Sequence, residues 1–413
     1  MKLTENHQFK FAIISKVIII ILGLLSGVFI NRFLGPSLKG EYTFLLNTIN
    51  FFAMFLNLGI YQSYPYFRRK NIENLQHIYI NIVSFQFLFY FFIFLVIIFI
   101  IQDFYIQFIL ILLPQFILAK QLTFILLVKN PNLRNLALIA NHFSYMSLLL
   151  IFYIFAERSS YYIYLTIFLQ EIILIIILLL FFRTKINPFK INFTHLKESI
   201  KFGIFPMLTS VLIFLNANID IFILKQYVNF YEIGIYSIGV GLASMVWSLS
   251  DSFKEVLFSK TSKNDSIPEI KFSLKINLYL SLLILIAFII FGESIIEFLY
   301  GTEFVGAYTV VVILFIGNIP MIFYKIIITL FLAQGKKVLV FIIMLFSIFF
   351  GLFWFFFLIP LYGIIGSAIA ATISHLICGL LFLIFFLKFE EVKIKDILNI
   401  KKEDIHFILR EKY

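Results

Sequence analysis

Twelve runs of about twenty mostly apolar residues follow one another along this chain, at 11–30, 42–61, 78–101, 104–128, 136–155, 161–182, 202–224, 233–253, 276–292, 307–333, 338–359 and 363–387. A helix of that length crosses the hydrocarbon core of a bilayer. The sequence therefore predicts an all-α integral membrane protein with twelve transmembrane helices. Of the 413 residues, 62% are hydrophobic and 13% charged, whereas a soluble domain carries about 25% charged residues. That excludes a cytosolic enzyme, and the same numbers exclude intrinsic disorder. The single cysteine, Cys378, excludes a disulfide framework or a cysteine-based metal cluster. The run Phe11–Ile30 is too long for the apolar core of a secretion signal, and it ends in Asn-Arg-Phe-Leu-Gly-Pro rather than a small-residue cleavage site. It is expected to remain as the first helix.

Twelve spans leave both ends of the chain on one side, and the positive charges indicate which. With the N-terminus cytoplasmic, 26 of the 33 Lys and Arg fall in inner segments, among them Arg68, Arg69, Lys70, Lys129, Arg134, Lys336 and Lys337. The outer segments hold four, Arg32, Lys39, Arg158 and Lys225, and Lys16, Lys120 and Lys325 lie inside spans. Dropping one helix would invert every later loop, so this asymmetry supports the segmentation. The net charge of +11 thus belongs to loops and points to membrane topology, not to nucleic acid.

The chain looks duplicated. Lys10-Phe11 precedes the first span and Gly40-Glu41-Tyr42 opens the second; Lys201-Phe202 precedes the seventh and Gly234-Ile235-Tyr236 opens the eighth. The offsets are 191 and 194 residues. Six spans per half make this a parallel repeat about the membrane normal, a recurring transporter plan with the substrate path near the midplane. The expected organisation is an N-terminal six-helix lobe at 1–182, a cytoplasmic linker at 183–201, a C-terminal six-helix lobe at 202–387 and a basic cytoplasmic tail at 388–413. The five positive charges of the linker read as a cytoplasmic anchor in preference to a lipid-binding patch.

The segment Asn31-Arg32-Phe33-Leu34-Gly35-Pro36-Ser37-Leu38-Lys39-Gly40-Glu41-Tyr42 resembles the first loop of the polysaccharide (O-antigen, Wzx-type) flippases. These belong to the MOP exporter superfamily, with the MATE drug exporters and the lipid II flippases. Further matches are Leu58-Gly59-Ile60, Gly234-Ile235-Tyr236-Ser237, Leu299-Tyr300-Gly301-Thr302-Glu303-Phe304 and the stretch Leu361–Ala370. The resemblance runs from about residue 8 to 388. It implies a MATE-like fold of two lobes around a central cavity. It also implies alternating access on a lipid-linked oligosaccharide of the undecaprenyl-pyrophosphate type, in a bacterial cytoplasmic membrane. Membrane lipid, a coupling H+ or Na+, and polysaccharide polymerase machinery are the partners it suggests.

Several spans carry polar residues at helical spacing. The eighth aligns Ser237, Gly241, Ser244, Ser248 and Asp251; the second, Asn47, Asn50, Asn57 and Tyr61; the seventh, Thr209, Asn216 and Asp220; the tenth, Asn318, Lys325 and Thr329; the first, Lys16, Gly23, Gly27 and Asn31. One such stripe is equally well explained as glue between helices. Five together favour a hydrated path. A charge in mid-bilayer is costly and usually marks a substrate or ion path. Lys325 lies eleven residues before Lys336, about 16 Å deep, after a kink expected at Pro320. Lys120 lies nine residues before Lys129, about 13 Å deep, beyond Pro114. Lys16 is placed to snorkel to the inner interface, and Arg32 to cap the outer loop or meet a headgroup. Glu171 is the most central acid, a proton-coupling site or the buried partner of a lysine. Asp220 pairs with nearby Lys225 at the outer interface or takes part in ion coupling, as the seventh helix does in related transporters. Asp251 is expected to be solvated. His142 and His375 read as hydrogen-bonded core residues.

The candidate substrate-binding set is thus Lys16, Arg32, Asn47, Asn50, Lys120, Ser244, Ser248, Asn318 and Lys325, with Glu171 and Asp220 as coupling candidates. No phosphate loop, His-rich metal spacing or nucleophile elbow is present, so no enzyme chemistry, metal or cofactor is implied. A flippase is the expected function, with lysines for the pyrophosphate and Asn/Ser stripes for the sugars. A MATE-like exporter of organic cations is the alternative, but it calls for an acidic cavity. A membrane polymerase or glycosyltransferase needs sizeable outer loops with catalytic acids, and the longest here spans only 293–306.

Overall fold

A computed structural model describes residues 5–155, 159–182, 186–261 and 267–399. Among these no strand occurs. The helices in chain order are α1 (Glu5–Leu56), α2 (Tyr64–Arg69), α3 (Leu75–Ile100), α4 (Phe104–Lys129), α5 (Pro131–Phe155), α6 (Ser160–Phe182), α7 (Phe193–Tyr227), α8 (Phe230–Thr261), α9 (Ile267–Tyr300), α10 (Ala307–Ala333), α11 (Lys337–Phe389) and α12 (Lys395–Leu398). Ten described helices are long and apolar enough to cross a membrane, and two of these run for 40 and 52 residues. At about 1.5 Å per residue each exceeds a hydrocarbon core of about 30 Å. Both are broken by a glycine at positive φ: Gly35 (φ 66°, ψ 176°) in α1 and Gly363 (φ 56°, ψ −129°) in α11. Dividing α1 and α11 there yields the twelve segments that the apolar runs predict. The chain is a multi-pass membrane protein.

The first break is sharper than the sequence suggests. An outer loop is expected around 31–41, but helix continues on both sides of Gly35. Only glycine takes such a φ without strain, and Pro36, having no N–H to donate, suits the first turn of the helix that follows. Arg32 and Lys39, expected in a loop, therefore lie on helices. Elsewhere the Asn and Asp punctuation acts as caps. Asp103 accepts from the Ile106 N–H at 2.9 Å, Asn130 from Leu133 at 3.2 Å, Asn192 from His195 at 3.0 Å and Asn229 from Glu232 at 3.0 Å.

The chain forms two compact units, Met1–Phe214 and Leu215–Tyr413, whose junction lies within α7. In the first unit, α4 is two-thirds buried (67%), against 22–28% for α3, α5 and α6. It packs on α1, α3, α5 and α6. Its apolar contacts include Leu112 and Ile117 toward one end, with Leu45, Ile49 and Ile163, and Leu122 and Ile125 toward the other, with Tyr79, Ile80 and Leu178. The second unit has the same design around α10, also 67% buried. There Ile326, Ile327, Leu330 and Phe331 meet Leu274, Phe382 and Phe386. A central helix of this kind is apolar around most of its circumference, and its polar residues are confined to narrow stripes, such as Asn318, Lys325 and Thr329 on α10.

Where α1 ends, three side chains from neighbouring helices satisfy freed carbonyls. Gln86 Nε2 and the Tyr90 hydroxyl donate to the Leu56 carbonyl at 2.7 and 2.8 Å. Gln121 Nε2 donates to the Asn57 carbonyl at 3.4 Å and to Gln86 Oε1 at 2.8 Å. An unmet carbonyl in hydrocarbon costs several kcal/mol, so these amides allow a helix end in an apolar setting. The first half of α7 closes over this region. Phe202 stacks on Tyr66 with ring centroids 4.1 Å apart, and the Tyr79 hydroxyl bonds Ser63 at 2.6 Å and Ser199 at 3.0 Å.

Candidate functional site in the first unit

Two cavities open within the first unit and share the wall residues Asn50, Phe116 and Glu171. One, of about 340 Å³, holds Lys120 and Arg134 among the aromatic rings of Tyr61 and Phe124. The other, of about 320 Å³, holds Lys39, Tyr42, His142 and Gln170. The linings follow helical periodicity. On α1, Lys39, Tyr42, Leu46, Asn50 and Ala53 form one stripe; on α4, Phe116, Ala119, Lys120, Thr123 and Leu127 form another; on α6, Ile167, Gln170, Glu171 and Leu174 form a third. Gly23 and Gly27, on the first segment of α1, also line the second cavity, and a Cβ added to either would meet no atom within 4 Å. Their missing side chains leave the space open.

Two of the cations in these cavities stand apart from carboxylates. Among the described residues, neither Lys39 nor Lys120 has a carboxylate within ion-pair distance, and Glu171 has no hydrogen-bonding partner. Lys39 sits over the Tyr42 ring, 4.9 Å from its centroid, and the Tyr42 hydroxyl lies 3.2 Å from that of Tyr145. Nδ1 of His142 is buried with no protein partner. Arg134 donates to Asn135 Oδ1 at 3.0 Å. The set is three cations against one carboxylate. An apolar surround makes each charge felt more strongly than in water.

The second unit holds a different cluster. Asp220 accepts hydrogen bonds from the Tyr236 hydroxyl and from the Ile221 N–H, the latter at 2.9 Å. A cavity of about 30 Å³ beside it is lined by Asn216, Ser244, Trp247, Asn318 and His375. Nε1 of Trp247, Oδ1 of Asn318 and Nδ1 of His375 are buried without a protein partner. Lys325 Nζ lies 2.8 Å from both carboxylate oxygens of Asp251 and 5.0 Å from the centroid of the Trp247 ring.

The expected site residues thus separate. Asn50, Lys120 and Glu171 come together in the first unit. Asn47 lines neither cavity there; its amide donates to the Thr43 carbonyl at 2.9 Å. Arg32 is exposed on α1. Ser244, Asn318 and Asp220 surround the small cavity of the second unit. Ser244 donates to the Gly241 carbonyl and Asn318 to the Ala243 carbonyl, each at 2.8 Å. Lys325 is ion-paired, and its partner is Asp251, which the sequence had placed in solvent. The side chains of Lys16 and Ser248 lie outside the described residues. Sequence reasoning missed Lys39, Arg134 and Gln170 as lining residues. Lys39 was assigned to a loop although it continues the Tyr42, Leu46, Asn50 stripe. Arg134 was counted only as an inner-loop charge. His142, read as core, lines a cavity.

Residues 29–309 match the family described as polysaccharide biosynthesis protein. A search of curated proteins finds no match. Among solved structures, the chain resembles the lipid II flippase MurJ in an inward closed conformation, with TM-score 0.72, 17% identity, and coverage of 97% of this chain and 93% of that one. It also resembles an inward-facing multidrug resistance MATE family transporter of the MOP superfamily, with TM-score 0.68, 12% identity, and coverage of 91% and 97%. A MOP superfamily transporter from Pyrococcus furiosus, described as having a binding pocket of reverse polarity, aligns with TM-score 0.56, 13% identity, and coverage of 91% and 93%. With a family match across most of its length, the chain belongs to the polysaccharide biosynthesis protein family, and it has the fold of these transporters.

Proposed function

We propose that the protein is a flippase that moves an isoprenoid-pyrophosphate-linked oligosaccharide from the inner to the outer leaflet of a bacterial cytoplasmic membrane, by alternating access, with both termini cytoplasmic. The observation that carries this reading is the net-positive cavity of the first unit, where Lys120 and Arg134 stand beside Tyr61, Phe124 and Asn50. The cations suit a pyrophosphate, and the aromatic and amide surfaces suit hydroxylated sugar rings. Lys120 is the leading phosphate ligand. Lys325 acts through its ion pair with Asp251 and contributes little free charge. An exporter of organic cations would want the opposite sign in the cavity.

Coupling falls to two acids. Glu171 sits on the wall common to both cavities of the first unit and is placed to carry a proton past the lysines. Asp220, beside a cavity that holds about one water, is placed to bind H+ or Na+ in the second unit. Polysaccharide polymerase machinery would act on the flipped product.

The test is Lys120→Ala in a host whose own flippase gene is deleted and whose surface glycan depends on this gene. Glycan display should be lost while membrane abundance is unchanged, and Lys120→Arg should restore at least part of it. Normal display by Lys120→Ala would remove the cationic-cavity assignment. Resistance to organic cations conferred by the unaltered gene would favour the exporter instead.

A further inference from the structure

The first unit places a second chamber, lined by Lys39 as well as Glu171, next to the one at Lys120. We infer that the Lys39 chamber is a separate binding station for the pyrophosphate of a lipid-linked substrate, so that the first unit offers such an anion two positions in series. This rests on the flippase reading and specifies how its anion is held.

Four observations support it. Lys39 lacks a carboxylate partner among the described residues and is held over Tyr42, which is itself bonded to Tyr145. A cation held in this way, with no carboxylate at ion-pair distance, is a ready anion ligand, and Glu171 is the one carboxylate among the chamber's lining residues. The chamber supplies further polar groups that suit phosphate oxygens, Gln170 and a buried His142 Nδ1 with no protein partner. Its size, about 320 Å³, is close to the 340 Å³ of the Lys120 chamber. The two are contiguous, because Asn50, Phe116 and Glu171 line both. Gln121, next to Lys120, donates to the Asn57 carbonyl just past the end of α1, whereas Lys39 lies seventeen residues before Leu56 on the same helix, about 25 Å of rise. The stations are therefore distinct positions along the unit rather than two ligands of one phosphate. An anion that leaves Lys120 has a second cation to move to, which avoids a single tight trap.

The experiment titrates the purified full chain in lipid nanodiscs with inorganic pyrophosphate and reads stoichiometry by calorimetry. Two equivalents are expected to bind. Lys39→Ala should remove one and Lys120→Ala the other. Gly27→Leu adds bulk to the Lys39 chamber only, where a Cβ meets nothing within 4 Å. It should reproduce the Lys39→Ala result with an unchanged melting temperature, which separates loss of the station from loss of fold. One equivalent in the unaltered chain, or two retained by both Lys39→Ala and Gly27→Leu, would overturn the inference. Farnesyl pyrophosphate should displace the probe at both stations. A Lys39 station that yields only to inorganic phosphate would belong to a soluble anion and would likewise overturn it. Glycan display tests the parent reading independently. Loss of display in Lys120→Ala with a single pyrophosphate equivalent keeps the flippase and removes the second station. Two equivalents in a chain whose unaltered gene does not support glycan display keeps the stations and removes the flippase.

Discussion

Lys325 and Lys120 look alike in the sequence, each a lone lysine deep in an apolar span after a proline, but the structure gives them different chemistry. Lys325 has both oxygens of Asp251 at 2.8 Å and the Trp247 ring beneath it. Lys120 faces a cavity. The difference comes from the neighbouring helix. Asp251 lies on α8, 74 residues away in sequence, and no local pattern announces such a partner. The side chains are 14% and 43% exposed, between the surface regime, worth about 0–1 kcal/mol, and the buried one. Removing one partner of a fully buried pair costs about 3–5 kcal/mol. A double-mutant cycle with Lys325→Met and Asp251→Leu should give a coupling of about 1–2 kcal/mol in unfolding free energy. The double variant should be more stable than Lys325→Met or Asp251→Leu alone. Additive losses would mean that the pair holds nothing together. Legibility at this scale was uneven for the same reason. Asn50 was found because it stands on a polar stripe, and Lys120 and Glu171 because they are charges deep in long apolar helices. Lys39 was misplaced because Gly35-Pro36 reads as a loop, when it is a one-residue break between two helices.

At the scale of elements, the twelve apolar runs were legible because hydrocarbon thickness fixes helix length. What the runs could not show is how closely particular helices approach, since that depends on tertiary packing. The start of α7 is the clearest case. A Cβ built on Gly203 would lie 2.0 Å from the Gly59 carbonyl oxygen, and one on Gly59 would lie 2.2 Å from the Gly203 carbonyl oxygen. Two glycines let the backbones touch, as small residues do wherever membrane helices pack tightly. Gly59 is also at φ 70°, so it is constrained twice. Residues 193–201, expected in the connection between halves, are already the first turns of α7 and are fixed to α3 through Ser199 and Tyr79. Gly203→Ala, a change of one methyl group, should lift this part of α7 away and lower both melting temperature and membrane abundance. Gly27→Ala adds the same methyl into open space and should leave both unchanged. Equal abundance of the two variants would show that the Gly59–Gly203 contact does not constrain the packing of α7.

At the scale of the molecule, the two compact units repeat one plan: a central helix, α4 or α10, two-thirds buried and carrying a proline before a lysine, Pro114 and Lys120 in one, Pro320 and Lys325 in the other. The sequence repeat was visible only in short glycine and tyrosine markers, because apolar residues exchange freely on helices that need only be buried. The two lysines differ in their surroundings, one facing a cavity and one ion-paired. The cationic excess has a consequence for energetics. Moving one charge across 100 mV is worth about 2.3 kcal/mol, so a pyrophosphate of roughly two charges travelling outward gains about 5 kcal/mol per 100 mV. Over a completed cycle the carrier's own lysines return to where they began, so the gain is set by the charge of the cargo and of any ion moved with it. In proteoliposomes, a valinomycin-imposed potential, negative on the cytoplasmic side, should shift the lipid-linked pyrophosphate toward the opposite leaflet. Reversing the potential should shift it back. A distribution that ignores the potential in both directions would show that no net negative charge crosses per cycle, so the cargo would have to be neutral or its charge balanced by co-transported protons.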